Sequence, residues 1–126
     1  MDKYLVVLAG AGLCGLARYV AGTWIMAKYA GRFPLGTFLI NVTGSWFLGF
    51  VGTLALDHGT LVTPAMRLLL TVGFVGAYTT FSTFMFEALQ LVRQGAVAEA
   101  GLYAAGSLVV GFAAVGVGYL MARLVP

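Results

Sequence analysis

Gly73-Phe74-Val75-Gly76-Ala77-Tyr78-Thr79-Thr80-Phe81-Ser82-Thr83-Phe84 lies in the middle of a long apolar stretch. Thr79, Thr80, Ser82 and Thr83 put four hydroxyls within five positions, just after Gly73 and Gly76. Glycine and threonine are weak helix formers, and short hydroxyl side chains compete for backbone hydrogen bonds. The spacing predicts a helix that breaks near Gly76–Phe81. A broken backbone at membrane depth survives only where protein or a water-filled cavity covers it. Discontinuous helices of this kind build ion sites from half-helix ends and freed carbonyls. The same composition also fits a continuous helix whose hydroxyls bond back to the i−4 carbonyl.

The rest of the chain places that stretch in a bilayer. Of 126 residues, 61% are hydrophobic and 9% charged, against about 25% charged in a soluble domain. Four apolar stretches, at about 4–27, 35–56, 67–91 and 97–124, each reach the roughly 20 residues that cross a hydrocarbon core. Short links with glycine, proline and charge separate them, and no soluble domain fits between. The expected fold is an all-α integral membrane protein with four transmembrane helices in one domain. The first stretch outruns the ~7–15 residues of a signal peptide core, so it reads as a permanent span. Tyr4, Trp24, Tyr29, Phe33 and Tyr119 fall near span ends, as interfacial anchors do.

Net charge is +3 and scattered, which argues against nucleic-acid binding. Cys14 is the sole cysteine, so no internal disulfide forms, and its apolar run makes it a small buried thiol. His58 reads as a solvated loop residue without metal partners. Four spans put the N-terminus, the second link and the C-terminus on one side, with Lys3, Arg67 and Arg123. Lys28, Arg32 and Arg93 lie on the other side, so the positive charges balance at three each, Arg18 being inside a span. Orientation follows an imbalance of such charges. Balance points to copies that insert both ways up and pair antiparallel, and a fixed topology set by charge position is the alternative.

Small residues mark helix contacts in membranes. Tyr103, Ser107, Gly111, Ala114, Gly118 and Ala122 share one face of the fourth span. Thr37, Asn41, Ser45 and Gly49 do so in the second, and Ala11, Gly15, Arg18 and Gly22 in the first. Packing explains the glycines, but not the polar residues among them. Arg18 inside a span costs about 2.5–3.5 kcal/mol on the insertion scale, so it must face protein, water or an anion. Asn41 either makes an interhelical hydrogen bond or faces a permeating anion. Glu87, the one carboxylate inside a span, sits near the end of the third and has no assigned partner.

Three blocks carry a family resemblance. They are Gly12-Leu-Cys-Gly15-Leu-Ala-Arg18-Tyr19, Gly36-Thr-Phe-Leu-Ile-Asn41-Val-Thr-Gly44-Ser45, and the third-span stretch Gly73–Phe84. In this order on a four-span chain they resemble the Fluc (CrcB) family of fluoride channels over nearly the whole length. The resemblance implies an antiparallel dual-topology homodimer with two pores that export fluoride passively from a bacterial or archaeal cell across its plasma membrane. It implies a structural sodium ion at the dimer centre, held by the main-chain carbonyls of Gly76 and Thr79. It implies that Asn41, Phe81 and Phe84 line the fluoride path, with Ser82 and Thr83 adding a polar track. Tyr103 and Ser107 look like further members, and Arg18 a vestibule or structural residue. Ala77-Tyr78 departs from the more usual glycine-phenylalanine, and Trp46 from phenylalanine, but the ion-lining positions are intact.

The residue types suit the ion. Fluoride is small and tightly hydrated, so a pore must replace water with donors yet let the ion leave. The Asn41 amide and the hydroxyls of Ser82, Thr83 and Ser107 donate. Aromatic edges are positive, so Phe81 and Phe84 presented edge-on touch an anion without trapping it. Two rivals are weaker. A proton-coupled multidrug exporter needs a carboxylate in the first span, which instead holds Arg18. A non-transporting assembly subunit needs the glycines but not the hydroxyl-rich break. Enzymatic chemistry has no acid, base or metal constellation to support it.

Overall fold

The computed structural model describes residues 2–57 and 62–126. His58 lies outside the described residues. Helix α1 covers Lys3–Lys28 and α2 Leu35–Asp57. The third span runs Pro64–Arg93 and falls into four pieces: α3 (Pro64–Arg67), a π-helical stretch π1 (Leu68–Val75), α4 (Gly76–Tyr78) and α5 (Phe81–Arg93). Helix α6 covers Val97–Ala122. All four spans are long and apolar enough to cross a membrane, and the described residues contain no strand.

Local chemistry sets the ends. Asp2 caps α1 by accepting from the Tyr4 N–H at 3.0 Å. The third span starts earlier than its apolar pattern suggested. Thr63 accepts from the Met66 N–H at 3.2 Å, and Pro64 takes the first turn, where its missing N–H costs nothing. The α5–α6 turn closes at Gly95, whose φ of 78° belongs to the left-handed region.

The break falls at Thr79 and Thr80, inside the expected interval. Both have extended backbones, with φ/ψ of −78°/152° and −146°/111°. The continuous-helix alternative is therefore set aside. Thr80 caps the new helix: its Oγ1 accepts from the Thr83 N–H at 3.4 Å. The hydroxyls that disfavour continuation also supply the restart.

Helix α2 is the centre of the bundle and touches every other element. It packs most extensively on α6, where Gly49 meets the Val115 backbone and Gly118 meets the Trp46 carbonyl and the Phe50 amide. Both crossings are too close for a side chain, the device by which membrane helices gain contact. Helix α1 lies on π1 in the same way. A Cβ at Gly10 would stand 2.8 Å from the Leu69 carbonyl oxygen and 3.0 Å from the Gly73 Cα.

This contact corrects the reading of α1. Its buried residues are Val6, Gly10 and Cys14, beside the predicted stripe rather than on it. A Cβ added at Gly15, within that stripe, would meet nothing within 4 Å among the described residues. Across the bundle, Asp57 and Arg123 pair at 3.8 Å, so α2 and α6 end on the same side, as four spans require. The pair is solvent-exposed and adds at most about 1 kcal/mol. Much apolar surface stays uncovered: only 6% of the most apolar window of α6 is buried. Such a surface needs lipid or another copy of the chain against it.

Candidate ion pathway at the broken third span

Asn41 on α2 faces the break and holds both sides of one residue. Its Oδ1 accepts from the Thr80 N–H at 2.9 Å, and its Nδ2 donates to the Thr80 carbonyl at 3.4 Å. The amide thus stands in for the helical partners that Thr80 has lost. It satisfies backbone groups that would be costly to leave bare at this depth. Asn41 keeps a second amide hydrogen beyond this pair.

The same bonds release two carbonyls. In a continuous helix the Thr80 N–H bonds to the Gly76 carbonyl, and the Thr83 N–H to that of Thr79. Here the first donor goes to Asn41 and the second to the Thr80 hydroxyl. Gly76 and Thr79 are the two residues expected to offer main-chain oxygens to a cation, and both oxygens lose their intrahelical donors.

Two cavities meet at Thr80, which lines both. The inner one, about 280 Å³, is lined by Asn41, Ser45, Phe81, Phe84 and Ser107 among others. Four of the predicted path residues are thus brought together. Among the described residues the buried Ser107 hydroxyl has no hydrogen-bond partner, so its proton is free for a guest. Ser45 instead donates to the Asn41 carbonyl at 2.6 Å. The two phenylalanines differ. Phe84 is 6% exposed and packs edge-on to Tyr103, with ring centroids 4.9 Å apart. Phe81 is 73% exposed, although its centroid lies only 5.9 Å from that of Phe84.

The outer cavity, about 530 Å³, opens between α1, α2 and α5 and holds Arg18, Thr37, Thr83 and Glu87. Arg18 therefore has a water-accessible wall to face. Thr83 belongs to this chamber and not to the inner one, while Ser82 is exposed and lines neither. The two residues read as a single track separate here.

Glu87 is the residue that sequence reasoning left unassigned. Its Oε1 accepts from the Thr37 hydroxyl at 2.9 Å and its Oε2 from the Tyr103 hydroxyl at 2.8 Å. Tyr103 is fully buried and Thr37 is 9% exposed. Tyr103 therefore reaches the outer chamber through Glu87, while its ring supports Phe84. The missed signal is depth: Thr37 and Tyr103 lie early in their spans and Glu87 late in its own, which puts all three near one membrane face.

Among the described residues no cluster of histidine, cysteine or carboxylates can hold a metal. The oxygens offered at the break are neutral, and the donors in the inner cavity are uncharged.

Residues 5–119 match the family described as CrcB-like protein, camphor resistance (CrcB). The fluoride-specific ion channel FluC of Acidobacterium capsulatum is 46% identical over 119 residues, covering 94% of each chain. That of Chlorobaculum tepidum is 44% identical over 98% of this chain and 97% of its own. That of Solibacter usitatus is 43% identical over 96% of this chain and 98% of its own. With a match over nearly its whole length, this four-span chain belongs to the CrcB-like family of membrane proteins.

Proposed function

We propose that the protein is a fluoride-selective channel that lets the ion leave a bacterial cell down its gradient across the plasma membrane. Its family is one of ion channels and not of enzymes. The observation that carries the reading is the inner cavity beside the break. Asn41, the free hydroxyl of Ser107 and the rings of Phe81 and Phe84 line a space with room for roughly nine water molecules. Those groups replace hydration by donation and by positive ring edges, without a fixed positive charge that would hold the ion. The outer chamber, with Arg18, Thr83 and the Glu87 cluster, is the approach to it.

The functional unit is an antiparallel homodimer with two pores. The balanced basic residues and the uncovered apolar faces support this, as does Phe81, whose ring is free to be presented to a second copy. The released carbonyls of Gly76 and Thr79 fit a sodium ion between the copies, since two from each chain make four neutral oxygen ligands. When bound, the ion supplies a positive charge that joins the two breaks. The chain's own part is to keep those oxygens unbonded, which Asn41 and Thr80 do.

The test is passive efflux. Purified protein in liposomes loaded with potassium fluoride is opened to electrogenic flux by adding valinomycin, and a fluoride electrode records the loss. Rapid release of fluoride with chloride retained in parallel liposomes is expected. Retention of both anions by well-reconstituted protein overturns the reading.

A further inference from the structure

The outer chamber contains a charge that its spans do not supply. Arg32, in the loop between α1 and α2, lines the same cavity as Arg18. Arg32 is exposed at the mouth and Arg18 is half-buried within. Among the described residues neither is part of an ion pair. The one carboxylate in the wall, Glu87, has both oxygens occupied by hydroxyl donors. The wall also includes Pro34 just before α2, Gly36 and Thr37 from the first turn of α2, and Thr83 from that of α5. Both helices thus turn their positive ends toward the chamber. The two arginines outweigh Glu87, and a concave, low-dielectric wall of net positive charge concentrates an anion and raises its arrival rate.

We propose that Arg32 is an anion-capture residue, which with Arg18 behind it sets how fast fluoride enters the chamber. This rests on the channel reading above. Arg32 acts through its field and not by contact in the narrow path. Its effect is therefore largest at low ionic strength and fades as the screening length shrinks from ~20–30 Å near 0.01–0.02 M to ~4 Å near 0.5 M. A basic loop residue that merely anchors to phospholipid phosphate has no such effect on flux.

The experiment places a removable charge on the folded channel. Arg32→Cys is reconstituted, then treated with a cationic or an anionic membrane-impermeant thiosulfonate on both sides. Cys14 is fully buried, so the parent serves as the unreactive control. At ~0.02 M ionic strength the variant should pass fluoride about two- to fivefold more slowly than the parent. The cationic adduct should recover most of that loss and the anionic adduct should deepen it. Both differences should shrink toward unity when an impermeant salt raises ionic strength to ~0.5 M. Arg32→Lys, which keeps the charge, should match the parent throughout.

Adducts of opposite sign that give equal rates, or a charge effect that salt does not diminish, overturn the proposal. Equal rates with a lower yield of folded dimer identify Arg32 as a headgroup anchor, which also overturns it. A parent without fluoride flux sinks the channel reading itself, whereas a conducting parent with charge-insensitive adducts sinks only the capture role.

Discussion

Asn41 and Thr80 are joined at both ends of one residue: the asparagine Oδ1 takes the threonine N–H at 2.9 Å, and the asparagine Nδ2 gives to the threonine carbonyl at 3.4 Å. One side chain thereby maintains the break and faces the inner cavity. Its two roles are separable by substitution. Asn41→Asp keeps an acceptor for the Thr80 N–H but loses the donor. It should retain most of the fold while fluoride flux falls by at least about tenfold. Asn41→Ala loses both bonds, at about 1–3 kcal/mol for each buried group left bare. It should lower both flux and thermal stability. Melting curves beside liposome flux check the pair.

Phe81 and Phe84 differ in burial, and their truncations should differ likewise. Phe84→Ala opens a hole beside Tyr103 and should cost about 3–5 kcal/mol, as large core truncations do. Phe81, 73% exposed, should cost under about 1 kcal/mol when truncated in the isolated chain, yet abolish flux. Equal destabilisation by both, or full conduction by Phe81→Ala, would contradict its place on the path.

The Glu87 cluster predicts coupling. Tyr103→Phe leaves Oε2 without its donor, and Glu87→Gln changes the acceptor for both hydroxyls. A double-mutant cycle between them should return about 0.5–3 kcal/mol of interaction, the range for groups in one network. Additive effects would mean that the two side chains do not bond in the membrane.

Glycine substitutions should sort by what they meet. Gly10→Ala drives a methyl into the Leu69 carbonyl and the Gly73 backbone. It should destabilise by about 1–3 kcal/mol, as overpacking does. A Cβ at Gly15 would meet nothing within 4 Å among the described residues. If two copies pair through this face, Gly15→Leu should leave helix content intact while lowering the dimer fraction, read by crosslinking. An unchanged dimer fraction would remove Gly15 from the contact between copies.

Sodium removal is the last test. If the Gly76 and Thr79 carbonyls hold the ion, purification in a large organic cation should slow fluoride flux at least about tenfold, and sodium should restore it. Flux indifferent to sodium would leave those oxygens without a cation to serve.

The break was legible because its cause is local: hydroxyls and glycines compete with the helix wherever they cluster. Span number was legible for a similar reason, as 20-residue apolar runs have few other uses. The α1 contact face was harder to read. Gly10 and Gly15 are both small, and only the position of Gly73 decides between them. Thr37, Glu87 and Tyr103 come from three spans, so no periodicity within one span could join them. Ser82 and Thr83 are adjacent in sequence but lie about 100° apart around a helix. Only Thr83 reaches the chamber.

The π-helical stretch Leu68–Val75 makes the third span rotationally discontinuous on one side of its midpoint, and the break at Thr79–Thr80 does so on the other. A π turn closes i→i+5 bonds and so holds surplus chain relative to an α turn. Deleting one residue there would let ordinary α bonding resume with the flanking faces roughly in phase, because the π turn already takes up the surplus residue. The same deletion in an α-helical stretch would swing one flank by about 100° relative to the other. The eight residues Leu68–Val75 are therefore the part of the third span that best absorbs a change of length, and a gene that drifts by one codon elsewhere in the span loses the alignment of two helices while keeping every apolar residue.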